Sequence, residues 1–285
     1  MTENNKPQAS DDQQEQSGAF SDALKASREK ADAEEAAPTR TLWSDAWKRL
    51  KKNKLAVIGA VWIVFVVLVA LTADLWAPQL LGSPTDIDTT TVAQSSKLPP
   101  SPEHPFGTDA TGRDQLVRVI YGSRVSLTVG VIATLISTGI GLVMGALAAF
   151  YGGWFDTIIM RLADMFLAIP YTLFVITMLA VMGQGIQNVF IAIGVLGWPS
   201  IARVFRSAIL SVKENDYVDA ARAMGASDLR IIARHIFPNS VAVIVVYATM
   251  NIGSAFLTEA ALSFLGMGVQ APNPSWGIMI QDGAT

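Results

Sequence analysis

The chain has 285 residues, 51% of them hydrophobic and 16% charged, where an ordinary soluble domain carries about 25% charged residues. Charge vanishes from several stretches of membrane-spanning length, which excludes a soluble globular protein and predicts an all-α, polytopic membrane protein. The net charge of −3 averages over segregated signs. The absence of cysteine excludes disulfides and thiol chemistry, and His104 and His235, the sole histidines, argue against a metal site.

Residues 1–40 are polar, rich in Gln, Glu, Asp, Ser and Ala, with Phe20 as the one aromatic; they bury too little apolar surface to fold alone, and a disordered tail is expected. Within 41–54, Trp43, Ala46, Trp47 and Leu50 form one helical face, surrounded by Lys48, Arg49, Lys51, Lys52 and Lys54, the pattern of an amphipathic helix lying on an anionic leaflet. Leu55–Ala73 is an uncharged run, and a first span over 55–77 follows from about 1.5 Å of rise per residue against a hydrocarbon core of roughly 30 Å. It is too long and too far from the N-terminus for a signal peptide.

Residues 78–124, with Pro99, Pro100, Pro102 and Pro105, read as a hydrophilic connection outside the membrane. A second span covers about 125–151. Its small residues recur every fourth position, at Ala133, Ser137, Gly141, Gly145 and Ala149, and Gly141 and Gly145 make a GxxxG pair. Such a stripe admits a closely packed helix, either from this chain or from a partner subunit. Gly152 and Gly153 make the following turn. A third span over about 157–182 contains Pro170, and a fourth over about 186–202 is loosened by Gly194, Gly197 and Pro199. The loop 203–238 is polar, the fifth span covers about 240–257, and 258–285 is less apolar and rich in Gly and Pro. Residues 40–54 and 203–237 carry six Lys/Arg each, 78–124 carry four, and 258–285 none. The positive-inside tendency then places the N-terminus and the 203–238 loop in the cytoplasm, and the count of spans agrees.

Residues 216–238 form a charged island that reads as two short amphipathic helices. Tyr217, Ala220, Ala221 and Met224 share one helical face; Leu229, Ile232, Ala233 and Ile236 share another. Asp216 is placed to cap the first helix with Asp219 in its first turn, Gly225 to end it in the left-handed conformation, Ser227 to cap the second, and Pro238 to stop or kink it. A hairpin of this kind at a membrane surface suits docking to a soluble protein, though amphipathicity alone equally describes an ordinary surface hairpin.

No stretch matches GxxxxGK[ST], and no Ser/His/Asp grouping stands out, so the chain has no recognisable nucleotide loop or covalent chemistry of its own. Arg161 and Asp164 lie three apart and can pair on one face, as a helix anchor or as part of a translocation path. Glu259 follows the fifth span and faces the path, an outer partner or water. Asp109, Arg113 and Asp114 read as a turn and a helix cap, with a cation site as the alternative.

Residues 216–238 resemble the EAA loop of ABC-transporter permeases, the importer kind that works with a substrate-binding protein. Asp219 stands for the usual Glu, Ala220, Ala221 and Gly225 match, and Ile236-Phe237-Pro238 closes the loop with Phe in place of Leu and His235 at a normally apolar position. Gly107-Thr108-Asp109, Gly112-Arg113-Asp114, Met160-Arg161, Asp164, Pro170, Ala261 to Gly268 and Pro274-Ser275-Trp276-Gly277 resemble the C-type permease of the dipeptide/oligopeptide branch.

The resemblance implies a type I importer permease in a bacterial or archaeal cytoplasmic membrane, carrying di- or oligopeptides, or alternatively nickel or another small solute. It implies a second homologous permease, two cytoplasmic ATPase subunits that use the ATP, and an extracytoplasmic binding protein. This chain would itself be no enzyme, would bind no cofactor or metal, and would have no nucleic-acid partner. Asp219, Ala220, Ala221, Gly225 and Pro238 would carry ATPase coupling, while Arg161, Asp164, Pro170 and Glu259 would serve the path or anchor helices. The family has six spans against five here, so a fragment or shortened product is expected at Thr285. Rival readings are a membrane scaffold recruiting a soluble protein and a self-contained channel.

Overall fold

A bilayer supplies no hydrogen bonds to the backbone, so apolar runs cross it as helices. In the computed structural model, residues 47, 48, 50–80, 95–270 and 272–284 are described, and among them the isolated Thr108–Asp114 bridge is the sole β pairing. The tail expected at 1–40, and Trp43, Ala46 and Arg49 of the amphipathic helix, lie outside these residues.

Internal contacts divide the chain between Trp62 and Ile63. In the first unit the Lys51 ammonium lies 5.2 Å from the centre of the exposed Trp47 ring, a cation–π contact suited to headgroup depth. Asn53 then caps helix α1 (Lys54–Leu80), its side-chain oxygen accepting from the Ala56 N–H at 3.2 Å. This helix is apolar nearly all round, and its 27 residues rise about 40 Å, enough to cross with tilt.

The second unit holds α2 (Gln115–Tyr151), α3 (Gly153–Ala168), α4 (Tyr171–Met182), α5 (Ile186–Lys213), α6 (Asp216–Ala223), α7 (Asp228–Ile231), a π-helical turn Ile232–Ile236, α8 (Phe237–Phe264) and α9 (Trp276–Ala284). The second span starts at Gln115 rather than near 125, because Asp114 caps it by accepting from the Val117 N–H at 3.0 Å. The third span is two helices, α3 and α4, bent by 89° at Ile169–Pro170. Pro170 lacks the N–H that would carry the ladder through. The fourth does not stop near 202: α5 continues past Pro199 to Lys213, so 203–213 is helix rather than loop. The fifth is also longer than 240–257, running from Phe237 to Phe264. Among the described residues four helices are long and apolar enough to cross a membrane, and the bent pair raises the number to as many as five, in line with the five expected.

The small-residue stripe serves the chain's own packing. Every member, Ala133, Ser137, Gly141, Gly145 and Ala149, is buried. A Cβ at Gly141 would lie 2.6 Å from the Ile201 side chain, and one at Gly145 would lie 2.7 Å from the Ala202 carbonyl oxygen. The glycines of α5 answer in kind: a Cβ at Gly194 would meet Ile136 at 2.7 Å and the Ala133 carbonyl at 2.9 Å. Backbones this close gain dispersion along their whole length, which is what holds helices together where lipid cancels the hydrophobic effect.

Three apolar clusters follow from this seam. One joins α2, α4, α5 and α8 around Val129, Val175, Leu179, Val189 and Leu262. A second joins the ends of α2 and α5 to α6, α7 and α8 through Phe205, Ile209, Val218, Ile231 and Ile236. The third seats α3 on α2 and α5 through Ile159, Ala163 and Trp198.

Gly145→Leu therefore destabilises the fold by overpacking, by about 1–3 kcal/mol or more. Gly139→Leu, on the same helix with open space beside it, is tolerated. Thermal unfolding of the two variants in detergent separates them.

Candidate functional site

The island 216–238 is a hairpin, but its buried face differs from the one the periodicity suggests. Val218 and Ala221 point inward on α6, whereas Tyr217 is 43% exposed, Met224 82% exposed, and Ala220 exposed as well. Inward packing is completed by Ile231 and Ile236, with Ile232 half-buried and Ala233 outward. The result is a hairpin pinned from within by Val218, Ala221, Ile231 and Ile236 against Ala149, Phe150, Phe205, Ile209 and Ile244, with an apolar strip left on its outer surface.

The caps also differ. Asp216 is the first helical residue and Asn215 the cap, without a side-chain bond to α6. Asp219 lies in the first turn as expected, exposed, pairing with Arg222 at 3.1 Å. Gly225 takes φ +79°, the left-handed region that costs other L-residues about 1–2 kcal/mol. Ser227 contributes its carbonyl, accepting from the Ile231 N–H at 3.0 Å. Pro238 neither stops nor terminates a helix: it sits in the first turn of α8, where a missing N–H costs nothing, and the turn before it widens into a π-helix.

At this same end of the bundle, charges tie α3 to α5. Arg206 donates to both oxygens of Asp156 at 2.5 Å. Asp164 lies 3.7 Å from Arg161 as its spacing allows, yet its hydrogen-bonded partner is Arg203 across the interface; Arg161 is 79% exposed. Lys213 donates to the Phe150 carbonyl at 2.9 Å, closing the C-terminus of α2. Arg203 and Arg206 escape a reading by local spacing because their acids lie on a different helix.

At the opposite end, Glu259 is fully buried rather than in water. Ser126 of α2 donates to it at 3.0 Å and Ser263 at 2.7 Å. Nearby, Asp109 organises the loop before α2. One oxygen accepts from the Thr111 N–H, the Thr111 hydroxyl and the Arg113 N–H at 2.8–2.9 Å; the other accepts from Arg113 and from the buried Arg118. Arg118 also reaches Asp282 of α9 at 3.0 Å, and Trp276 Nε1 donates to the Val119 carbonyl at 2.9 Å, folding α9 back onto α2. Asp114 accepts from Val117 while lying 2.9 Å from His104 Nδ1. These aspartates are thus a turn and a cap, their oxygens engaged by donors of the chain. Among the described residues no three His, Cys, Asp or Glu side chains cluster as a metal set. Burial pushes the Asp109 carboxyl up, but the Arg113 N–H, the Thr111 hydroxyl, the Arg113 guanidinium and the Thr111 N–H together hold it below the ordinary aspartate range.

Several spans, a pinned hairpin at one end and a tied loop at the other, with charge kept to the ends, define a polytopic integral membrane protein. Residues 140–284 match the family described as binding-protein-dependent transport system inner membrane component. Residues 41–100 match the N-terminal TM domain of oligopeptide transport permease C. The dipeptide transport system permease protein DppC of Bacillus subtilis is 40% identical over 249 residues, 86% of this chain and 75% of that one. The oligopeptide permease OppC of the same organism is 40% identical over 243 residues, covering 85% and 77%. The glutathione transport system permease protein GsiD of Escherichia coli O157:H7 is likewise 40% identical over 243 residues, covering 85% and 78%. The chain belongs to the binding-protein-dependent transport system inner membrane components, the permeases of ABC importers. It is a multi-pass protein of the bacterial inner membrane and a transport subunit rather than an enzyme, ATP being hydrolysed on a separate chain.

Asp109→Asn leaves the buried Arg118 with Asp282 as its remaining counter-charge, at a cost of about 1–3 kcal/mol. A carboxyl with a depressed folded pKa stabilises the fold fully above the unfolded value and loses that contribution as pH falls through the folded one. Wild-type thermal stability therefore falls on acidification below the ordinary aspartate range, and the Asp109→Asn variant, already less stable, lacks that limb of the profile.

Proposed function

We propose that this chain is the permease subunit of an ATP-driven importer for di- or oligopeptides, and that ATPase motion enters it through residues 216–238. The observation that carries the coupling is the two-sided hairpin. Its inner side is locked by Val218, Ala221, Ile231 and Ile236 into the ends of α2, α5 and α8, while its outer side leaves Tyr217, Ala220 and Met224 uncovered around Asp219. A soluble subunit that grips the outer strip moves the ends of three membrane helices together. Small side chains at Ala220 and Ala221 let the α6 backbone enter a groove closely, and Gly225 sets the turn that presents it.

The N-terminus and the hairpin lie in the cytoplasm, as their Lys/Arg excess favours. The full assembly contains a second permease, two ATPases on the cytoplasmic face and a binding protein outside. Nucleotide-driven closure of the ATPases rocks the helices between inward-open and outward-open states. The peptide class rests on relatives named for dipeptides, oligopeptides and glutathione at equal identity, all short peptides.

Met224→Asp places a charge in the strip without touching the buried side of the hairpin. Purified from membranes through a tag on this chain, the variant keeps its thermal stability but no longer retains the ATPase subunits, and uptake of a radiolabelled tripeptide into vesicles falls at least tenfold. Wild-type retention and uptake in Met224→Asp would place the coupling surface elsewhere. ATP-independent flux in the wild type would favour a channel.

A further inference from the structure

Midway along the bundle, α2, the α3–α4 bend, α5 and α8 surround a cavity of about 250 Å³ that no charged side chain lines. Its wall is instead rich in neutral hydrogen-bonding groups: Thr134 and Ser137 from α2, Tyr171 from the start of α4, Ser200 from α5, and Tyr247 and Asn251 from α8. Concentration of such groups at mid-helix in apolar surroundings is costly unless something bonds to them. Part of the need is met internally. Ser137 donates to the Thr134 carbonyl at 3.1 Å, Tyr171 to the Ile193 carbonyl at 2.9 Å, and Asn251 Nδ2 to the Tyr247 carbonyl at 3.1 Å.

The remainder is not met. Thr134 is 4% exposed, and its hydroxyl has no hydrogen-bond partner. Asn251 spends its amide nitrogen on the Tyr247 carbonyl and leaves its oxygen available, as the hydroxyls of Ser200, Tyr247 and Ser254 are along the same wall. The buried Thr134 hydroxyl and the Asn251 oxygen, on opposite helices of a cavity at mid-helix beside a broken helix, have the placement of a transport-substrate site. Among these groups are an O–H to give to a carbonyl and an oxygen to accept an N–H. That is the pattern of one secondary amide. A charged terminus finds no counter-ion here, and a bare cation finds no carboxylate.

We infer that this cavity is a way-station for the peptide backbone, in which Thr134 donates to a peptide carbonyl and Asn251 accepts from a peptide N–H while the charged termini lie outside it. The volume, near the low end of ligand pockets of about 300–1,000 Å³, takes a short stretch of backbone rather than an entire oligopeptide. Reading main chain and ignoring termini makes the cavity tolerant of peptide sequence. This inference rests on the peptide-importer reading above.

The test compares uptake of radiolabelled trialanine with that of its analogue carrying esters in place of both amides, by the whole complex in proteoliposomes. The soluble binding protein is the same in every arm, so its own preference cancels between variants. Asn251→Leu lowers the amide-to-ester uptake ratio about fivefold from the wild-type value, the worth of one hydrogen bond. Thr134→Val lowers uptake of both compounds by a similar factor. An unchanged ratio in Asn251→Leu, or wild-type uptake by a Thr134→Val complex of raised thermal stability, overturns the inference and makes Thr134 a mere packing defect. Absence of trialanine uptake in the wild type, with uptake of nickel instead, overturns the peptide reading itself.

Discussion

The close approach of α2 and α5 is the constraint on which the rest of the molecule depends. In lipid, two helices gain little by merely being apolar, because the tails around them are apolar too; they gain by touching over a long seam. Gly141 and Gly145 on one side, and Gly194 and Gly197 on the other, remove the side chains that would hold the backbones apart. With the seam fixed, the ends of both helices lie together at each pole, and α3, α4, α8 and α9 pack against one or both of them. The short α3 fits over the seam through Ile159 and Ala163, and α8 crosses both partners through Ala255 and Leu262.

Charge is arranged around that frame by the cost of desolvation. At one pole Asp109, Arg118 and Asp282 hold the incoming loop and α9 onto the start of α2. At the other, Asp156 with Arg206 and Asp164 with Arg203 tie α3 to α5. Between the poles the polar groups at the cavity are neutral, and the nearest buried acid, Glu259, is held by two serine hydroxyls. The poles thus carry ion pairs, and the middle carries neutral donors and acceptors. Most of those ions are already paired, so they fasten helices together.

How much of this was legible follows from the range of each interaction. The spans, the left-handed Gly225 and the capping role of Asp114 are local effects, and each is visible as a residue type in a pattern; the 89° break at Pro170 within the expected third span is not. Helix ends were less legible: the fourth span was expected to end near 202, but α5 runs on through Pro199 to Lys213, since tertiary contacts outweigh one lost backbone bond. The hairpin was found, but its buried face was misassigned. Periodicity marks an apolar face without saying whether it meets the core or is left for a partner, and on α6 the outward strip of Tyr217, Ala220 and Met224 is as apolar as the inward pair Val218 and Ala221.

The sequence by itself determined the class: an all-α membrane protein whose hairpin and loop motifs resemble those of importer permeases. It could do so because hydropathy, charge asymmetry and turn chemistry are read within a few residues. Only the tertiary structure decided that the glycine stripe packs inside the chain, that Asp164 answers Arg203 as well as Arg161, that Glu259 is buried, and that Thr134 and Asn251 face one another's helices across a neutral cavity. Each of these joins residues tens to more than a hundred positions apart. Such pairings are chosen by which helix faces fit together, a property of shape that no local pattern encodes.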